Sequence, residues 1–173
     1  MIESFGYRKE STVVRTRQEA VGEVGRALQR YQRTVQAFDD AVGRALGVGA
    51  ADLRCLDVLS ESPRTAGELA VAAGLRPAAT TALIDRLAER GLVRRSPSPT
   101  DRRRVMVELT DSGRDRVWSA YGPMVVEGQG LFDDTTIAEL DRLATLLADM
   151  TALTERHRAR VEDAPRDETG PTT

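Results

Sequence analysis

Between Arg86 and Arg104 stand seven arginines (86, 90, 94, 95, 102, 103 and 104) and two acids, Glu89 and Asp101, a local balance of +5 in a chain of net charge -2. Arginine is permanently charged and its planar fork donates two parallel hydrogen bonds, which suits it to phosphate. The last three, Arg102 to Arg104, lie directly ahead of an alternating apolar run, "VMVEL". Taken alone, such a run reads as a solvated charged face. Behind a helix-turn-helix, which the elements below describe, it reads better as a surface that grips a polyanion. Catalysis finds no support beside it. One histidine, His157, and one cysteine, Cys55, leave too few ligands for a zinc site and exclude an intrachain disulfide. No nucleophile is spaced to meet a base and no glycine-rich loop has the pattern of a phosphate cradle, so no enzyme activity, metal or cofactor is expected.

The elements that must position these arginines follow from the hydrophobic period. Apolar residues recur in steps of three and four from Val21 through Val24, Leu28, Tyr31, Val35, Phe38 and Val42 to Leu46, which predicts one long amphipathic helix with a coiled-coil-like seam, closed at "GVGA". A second helix covers "ADLRCLDVLSE" and stops at Pro63. Thr65 and Glu68 stand at capping-box spacing at the head of a short third helix that Gly74 breaks, and Pro77 suits the first turn of a fourth that Gly91 terminates. Two helices joined by a short glycine-containing turn describe a helix-turn-helix. The period then changes. "LVRRS" and "VMVEL" read as strands, with "PSPTDRR" a projecting loop between them. Thr110 caps a helix of about residues 111 to 129, expected to be interrupted near Gly122 and Pro123. A last helix carries Ile137, Leu140, Leu143, Leu147, Met150 and Leu153, then frays into a charged tail whose composition reads as disordered.

An arginine-bearing hairpin directly after a helix-turn-helix makes physical sense as a wing lying along DNA. The fourth helix enters the major groove and the loop cations reach phosphates or the narrow minor groove. Asp101 then orients its arginine neighbours and offsets their mutual repulsion. Arg94 and Arg95 alternate along a strand, so one is expected to face DNA while the other pairs with an acid. The fourth helix is sparing in base-reading chemistry: its exposed candidates are Ala78, Ala79, Thr81, Ala82 and Asp85, with no Asn, Gln or Lys. Specificity is therefore expected to lean on shape, water and the wing, with affinity mostly electrostatic.

"TAGELAVAAGLRPAATTALIDRLAERGLVRR" and "DRRRVMVELTDSGRD", about Thr65 to Asp115, resemble the multiple antibiotic resistance regulator (MarR) family, and the flanking helices extend the resemblance from about Val21 to Arg160. It implies a mainly α fold with a small β-hairpin wing: a winged helix-turn-helix with long N- and C-terminal dimerisation helices. It also implies a cytoplasmic homodimeric transcription regulator, a repressor, on pseudo-palindromic double-stranded operator DNA. Asp101, Arg102 and Arg103 match the family's wing acid and arginine pair, and Pro77 to Arg86 its recognition helix. The expected DNA-facing set is Thr65, Arg76, Ala78, Ala79, Thr81, Ala82, Arg86, Arg95, Asp101, Arg102 and Arg103, with Arg102 the favoured probe of the minor groove. The chain departs from the family's pattern at Ser98, where the wing commonly begins with Asp, and at Thr100, where some members carry arginine. Arg76 stands where a small hydroxyl cap is frequent and could contact phosphate instead.

The resemblance further implies a cleft between the dimerisation and DNA-binding lobes for a small aromatic or amphipathic effector. Tyr31, Phe38, Trp118 and Tyr121 read first as core packing; the alternative is that they, with Cys55, are the effector-binding residues lining that cleft. Cys55 among Leu53, Leu56 and Leu59 reads as a buried packing residue, and a redox-responsive thiol is the alternative. His157, between Arg156 and Arg158, reads as solvated surface. The expected organisation is an N-terminal arm (1–18), a dimerisation helix (19–48), the winged module (49–110), C-terminal dimerisation helices (111–160) and a disordered tail (161–173). No apolar run is long enough for a membrane span and the start lacks a signal peptide's apolar core, so no membrane is expected as a partner. From a different functional class, a winged helix that binds protein and no longer reads DNA is the alternative that the alanine-rich fourth helix favours.

Overall fold

The computed structural model describes residues 15–98, 101 and 103–164 of the chain. The chain divides after Gly122 into two compact units. In the first, α1 (Arg17–Leu46) opens with a capping box: the Thr16 hydroxyl accepts from the Glu19 N–H at 3.2 Å, and the Glu19 carboxylate accepts from the Thr16 N–H at 2.8 Å. Those two bonds satisfy backbone donors that would otherwise be orphaned, so the helix starts two residues before the boundary expected for a polar arm. Gly47, with φ 71°, closes it in the left-handed region. Next come α2 (Ala50–Glu61), α3 (Ala66–Ala73) and α4 (Pro77–Glu89). Thr65 and Glu68 form the anticipated capping box on α3, Gly74 ends that helix at φ 67°, and Pro77 occupies the first turn of α4.

The sheet has one strand more than the hairpin alone. β2 (Val93–Pro97) and β3 (Val105–Leu109) pair antiparallel from Val93↔Leu109 to Pro97↔Val105, and the two-residue β1 (Arg64–Thr65) pairs with the free side of β3. A two-residue strand shows no alternation, which is why periodicity did not find it. The core lies between this sheet and the helices: Leu56 and Leu59 of α2, Leu69 of α3, Leu83, Ile84 and Leu87 of α4, Leu92 and Val93 entering β2, and Val107 and Leu109 of β3 are all buried. Alternation on β3 and the three-four spacing on α4 deliver these residues to one centre.

α5 (Asp111–Gln129) begins where the Thr110 hydroxyl donates to the Gly91 carbonyl at 2.6 Å and accepts from the Gly113 N–H at 2.8 Å. Its helical backbone is continuous through Gly122 and Pro123, correcting the expected interruption. Proline forfeits one intrahelical bond, but its fixed φ is helical, and here the surrounding bonds keep the helix going. In the second unit, a 3-10 turn (Gly130–Phe132) follows α5, and Thr136 with Glu139 caps α6 (Ile137–Glu162). α6 carries helix through His157 to Glu162, two residues beyond the 111–160 bound expected for the C-terminal helices. Not one residue of α6 is buried, and Leu143, Leu147, Met150 and Leu153 stand 40–48 % exposed along it. Among the described residues no helix is long and apolar enough to cross a membrane.

Candidate nucleic-acid interface

α4 sends Thr80, Leu83, Ile84 and Leu87 inward, which by helical period turns Ala78, Ala79, Thr81, Ala82, Asp85 and Arg86 outward, all of them exposed. The Thr81 hydroxyl donates to the Pro77 carbonyl at 3.2 Å, so its proton is spent on the helix and its methyl joins the alanines as an apolar face. That face suits thymine methyls better than any base-edge hydrogen bond. Arg76, the residue before α4, is exposed and, among the described residues, makes no side-chain capping bond. At the head of α3 the Thr65 hydroxyl donates to the Glu68 carboxylate at 2.7 Å and accepts from the Glu68 N–H at 3.3 Å. These bonds, the Thr65 backbone N–H foremost, hold the Glu68 carboxyl below its ordinary range. Thr65, expected to face DNA, is therefore a cap in this structure.

The wing is organised by Asp101. Its carboxylate accepts from the Arg103 backbone N–H at 3.0 Å and from Arg103 Nε at 3.4 Å, and its carbonyl accepts from the Arg104 N–H at 2.9 Å. The Ser98 N–H closes the base of the loop on the Arg104 carbonyl at 3.0 Å. Asp101 thus turns the chain back into β3 while Arg103 stands out, its side chain 92 % exposed. A pair this exposed adds little stability and is screened by salt, so the guanidinium remains available to phosphate. Arg102, the favoured minor-groove probe, lies outside the described residues.

Two further arginines are engaged by acids. On β2, Arg94 Nε meets its cross-strand neighbour Glu108 at 2.8 Å, and Arg95 Nη2 meets Asp85 of α4 at 2.7 Å. Both alternating arginines therefore pair with acids, not one as expected, because acids stand on the two surfaces that flank the strand. The Arg95–Asp85 pair joins the wing to the exposed face of α4. Arg86 Nη2 meets Asp52 Oδ1 at 2.6 Å, while Asp52 Oδ2 accepts from the Gly49 N–H at 2.9 Å. Asp52 is only 4 % exposed, so Arg86, expected to face DNA, serves here as a tie between α4 and α2. Sequence reasoning passed over Asp52, since no spacing rule links it to a residue 34 positions away.

The residues expected to line an effector cleft separate. Phe38 of α1 and Tyr121 of α5 meet edge to face, ring centroids 5.5 Å apart, and the Tyr121 hydroxyl donates to Asp39 at 2.9 Å. Trp118 lies over Gly122 one turn along α5, and Tyr31 is exposed on α1. Cys55 is elsewhere: it is fully buried in the core, its thiol facing the Leu69 carbonyl, and burial foremost pushes its pKa up to about 11. A protonated, inaccessible thiol neither lines a cleft nor reacts with an oxidant, which corrects its inclusion with the aromatic residues and removes the physical basis for a redox-responsive Cys55.

Comparison with known proteins completes the assignment. The family described as the MarR family matches residues 46–104, from the end of α1 to the end of the wing loop. The chain is 33% identical over 131 residues to the uncharacterised HTH-type transcriptional regulator YcgE of Bacillus subtilis, covering 75% of this chain and 84% of that protein. It is 33% identical over 92 residues to the HTH-type transcriptional repressor NicR of Pseudomonas putida, covering 53% of this chain and 58% of the repressor. Among solved structures, RV1404 from Mycobacterium tuberculosis superposes with a TM-score of 0.55 at 28% identity over 79% of this chain and 95% of its own. The apo form of wild-type MarR from E. coli gives 0.50 at 26% over 73% and 95%. With the family match across the winged module and a transcription regulator one-third identical over most of both chains, this chain belongs to the MarR family of winged helix-turn-helix, DNA-binding transcription regulators.

Proposed function

We propose that the protein acts as a homodimeric repressor on a pseudo-palindromic operator, with α4 in the major groove and the Asp101–Arg103 wing at the adjacent minor groove. The observation that carries this reading is the 2.7 Å Arg95–Asp85 pair, which brings the arginine-bearing hairpin to the exposed face of α4. Small side chains at Ala78, Ala79 and Ala82 allow close approach to the groove floor, and Arg76 and Arg103 supply phosphate contacts that set register. Thr65 and Arg86 belong to the frame behind these contacts, and Arg102 is proposed to reach the minor groove with Arg103. The exposed apolar stripes of α1 and α6 favour a second copy as partner, with residues 19–48 and 111–160 as the dimerisation segments around the module at 49–110. A small aromatic or amphipathic effector at Phe38 and Tyr121, near Tyr31 and Trp118 in the chain's helical frame, would release DNA to the extent that it binds the DNA-mismatched dimer more tightly.

The test is fluorescence anisotropy against a selected pool of duplex DNA, with salt titration of the winner and of a scrambled control. An inverted repeat bound at least about 1,000-fold tighter than the control is expected. With about four phosphates neutralised per subunit, log K should fall with log salt at a slope of roughly -7. Arg103→Ala should weaken binding about equally on both duplexes and reduce that slope while the dimer mass stays the same. Equal, steeply salt-dependent affinity for every duplex would end the operator reading and leave a non-specific or effector-inactivated DNA binder, and no binding at low salt would leave the winged helix as a protein-binding module.

A further inference from the structure

α1 and α4 end in the same way. Each closes on a left-handed glycine, Gly47 at φ 71° and Gly91 at φ 69°. Each folds its chain back with a pair of reversed bonds: Gly47 and Val48 donate to the Arg44 and Gly43 carbonyls, and Gly91 and Leu92 donate to the Ala88 and Leu87 carbonyls. This motif satisfies two carbonyls of the last turn and leaves the final two, among them the one just ahead of the glycine. In both helices the carbonyl just ahead of the glycine, Leu46 O in α1 and Arg90 O in α4, is taken by one side chain. Arg116 of α5 donates from Nη1 to the Arg90 carbonyl at 3.3 Å and from Nη2 to the Leu46 carbonyl at 3.4 Å. A cation between two helix C-termini also meets the negative ends of both dipoles. The ends are close enough that a Cβ on Gly47 would lie 3.0 Å from Arg90 Nη1.

We infer that Arg116 is a positioning residue that fixes the recognition helix α4 to the α1–α5 frame. α5 is already tied to α1 by the Tyr121–Asp39 hydrogen bond and the Phe38–Tyr121 ring contact, so the guanidinium adds α4 to a pair that moves together. The consequence for DNA rests on the dimeric operator reading: if α1 and α5 belong to the dimer frame, Arg116 sets how far apart the two α4 helices are held. A dimer must match half-sites about one helical turn apart, and an error of one base pair displaces and rotates the site.

The test uses nitroxide labels at Arg33→Cys on α1 and Ala82→Cys on α4 of one protomer, both exposed positions, in chain diluted with unlabelled protein; Cys55 is fully buried and stays unlabelled. Pulsed electron–electron resonance should give one narrow distance distribution in the wild-type background. In Arg116→Met, which keeps the apolar stem and loses the fork, the distribution should broaden or shift while cooperative melting is retained. Arg116→Lys, a point cation able to hold one carbonyl at a time, should be intermediate. If Arg116→Met does not fold, Arg116→Lys alone decides. A wild-type distribution in whichever variant folds overturns the inference. In parallel, unlabelled protein is titrated with inverted repeats whose half-site spacing is native or changed by one base pair. The wild type should discriminate by about tenfold or more, and Arg116→Met should lose most of that discrimination. No operator preference in the wild type would overturn the DNA-binding proposal but leave the resonance result to judge Arg116.

Discussion

Asp52 spends both carboxylate oxygens inside the fold, on Arg86 and on the Gly49 N–H. Removing one member of a buried ion pair costs up to about 3–5 kcal/mol because the partner is stranded, and an exposed pair costs little. Arg86 is 44 % exposed and can turn to water, so Asp52→Asn should cost about 1–2 kcal/mol, read from urea midpoints. Its effect on DNA separates two roles for Arg86. As a tie that orients α4, its loss should lower operator affinity; were Arg86 chiefly a phosphate contact held back by Asp52, freeing it would raise affinity and the tie would be refuted. Gly113 makes a different demand on its site. A Cβ there would be driven into the Leu92 carbonyl, 2.8 Å from its carbon, and backbone cannot swing aside as a flexible side chain does. Gly113→Ala should therefore cost about 3 kcal/mol or more, seen as a melting point far below that of Gly128→Ala, where a Cβ meets open space.

Tyr121 links α5 to α1 through Asp39 and Phe38, and the link has a pH signature. Burial foremost, then the hydrogen bond to Asp39, pushes its hydroxyl up to about 12 from an ordinary 10.0. Below pH 10 the folded and unfolded chains both hold the proton and the stabilisation is present in full. As pH rises from 10 to 12 the unfolded chain releases its proton first, so stability falls across that window. A part-exposed phenol recovers only some of the roughly 1.4 kcal/mol per pH unit, about 1–2 kcal/mol in total. Cys55 loses stability over a neighbouring window, from 9.0 to about 11, so the informative measurement is the difference between wild type and Tyr121→Phe. That difference should shrink as pH passes from 10 to 12, and a constant difference would exclude the proton linkage. The same elements show what was legible beforehand. Helices α1 to α4, the hairpin and the last helix were readable because caps, glycines and apolar period are local signals, each confined to a few residues. What periodicity missed was either too short to have a period, as β1 is, or set by partners distant in sequence. Asp52 with Arg86, Asp85 with Arg95 and Arg116 with two carbonyls are polar contacts that no spacing rule announces. Thus the outward face of α4 was identifiable in advance, and the network that engages Arg86 with Asp52 and Arg95 with Asp85 was not.

At the scale of the whole molecule, the unsatisfied feature is apolar surface. α6 buries nothing, yet Leu143, Leu147, Met150 and Leu153 recur along it at helical spacing, and Val21, Val24 and Tyr31 stand exposed on α1. A single exposed leucine is ordinary, but repeated stripes on two long helices lose stability to water that a partner copy would restore. A symmetric dimer places each stripe in the interface twice, so one substitution is felt at two places. Leu147→Glu should therefore dissociate the dimer at micromolar concentration, as measured by sedimentation equilibrium, while the melting of the winged module, whose core lies in α2 to β3, changes little. Operator affinity should then fall steeply and lose its preference for two half-sites over one, since each monomer brings a single α4 and a single wing. The outcome that would sink this arrangement is a Leu147→Glu protein that remains dimeric and binds the inverted repeat as tightly as the wild type, for the stripe on α6 would then face something other than a second copy of the chain.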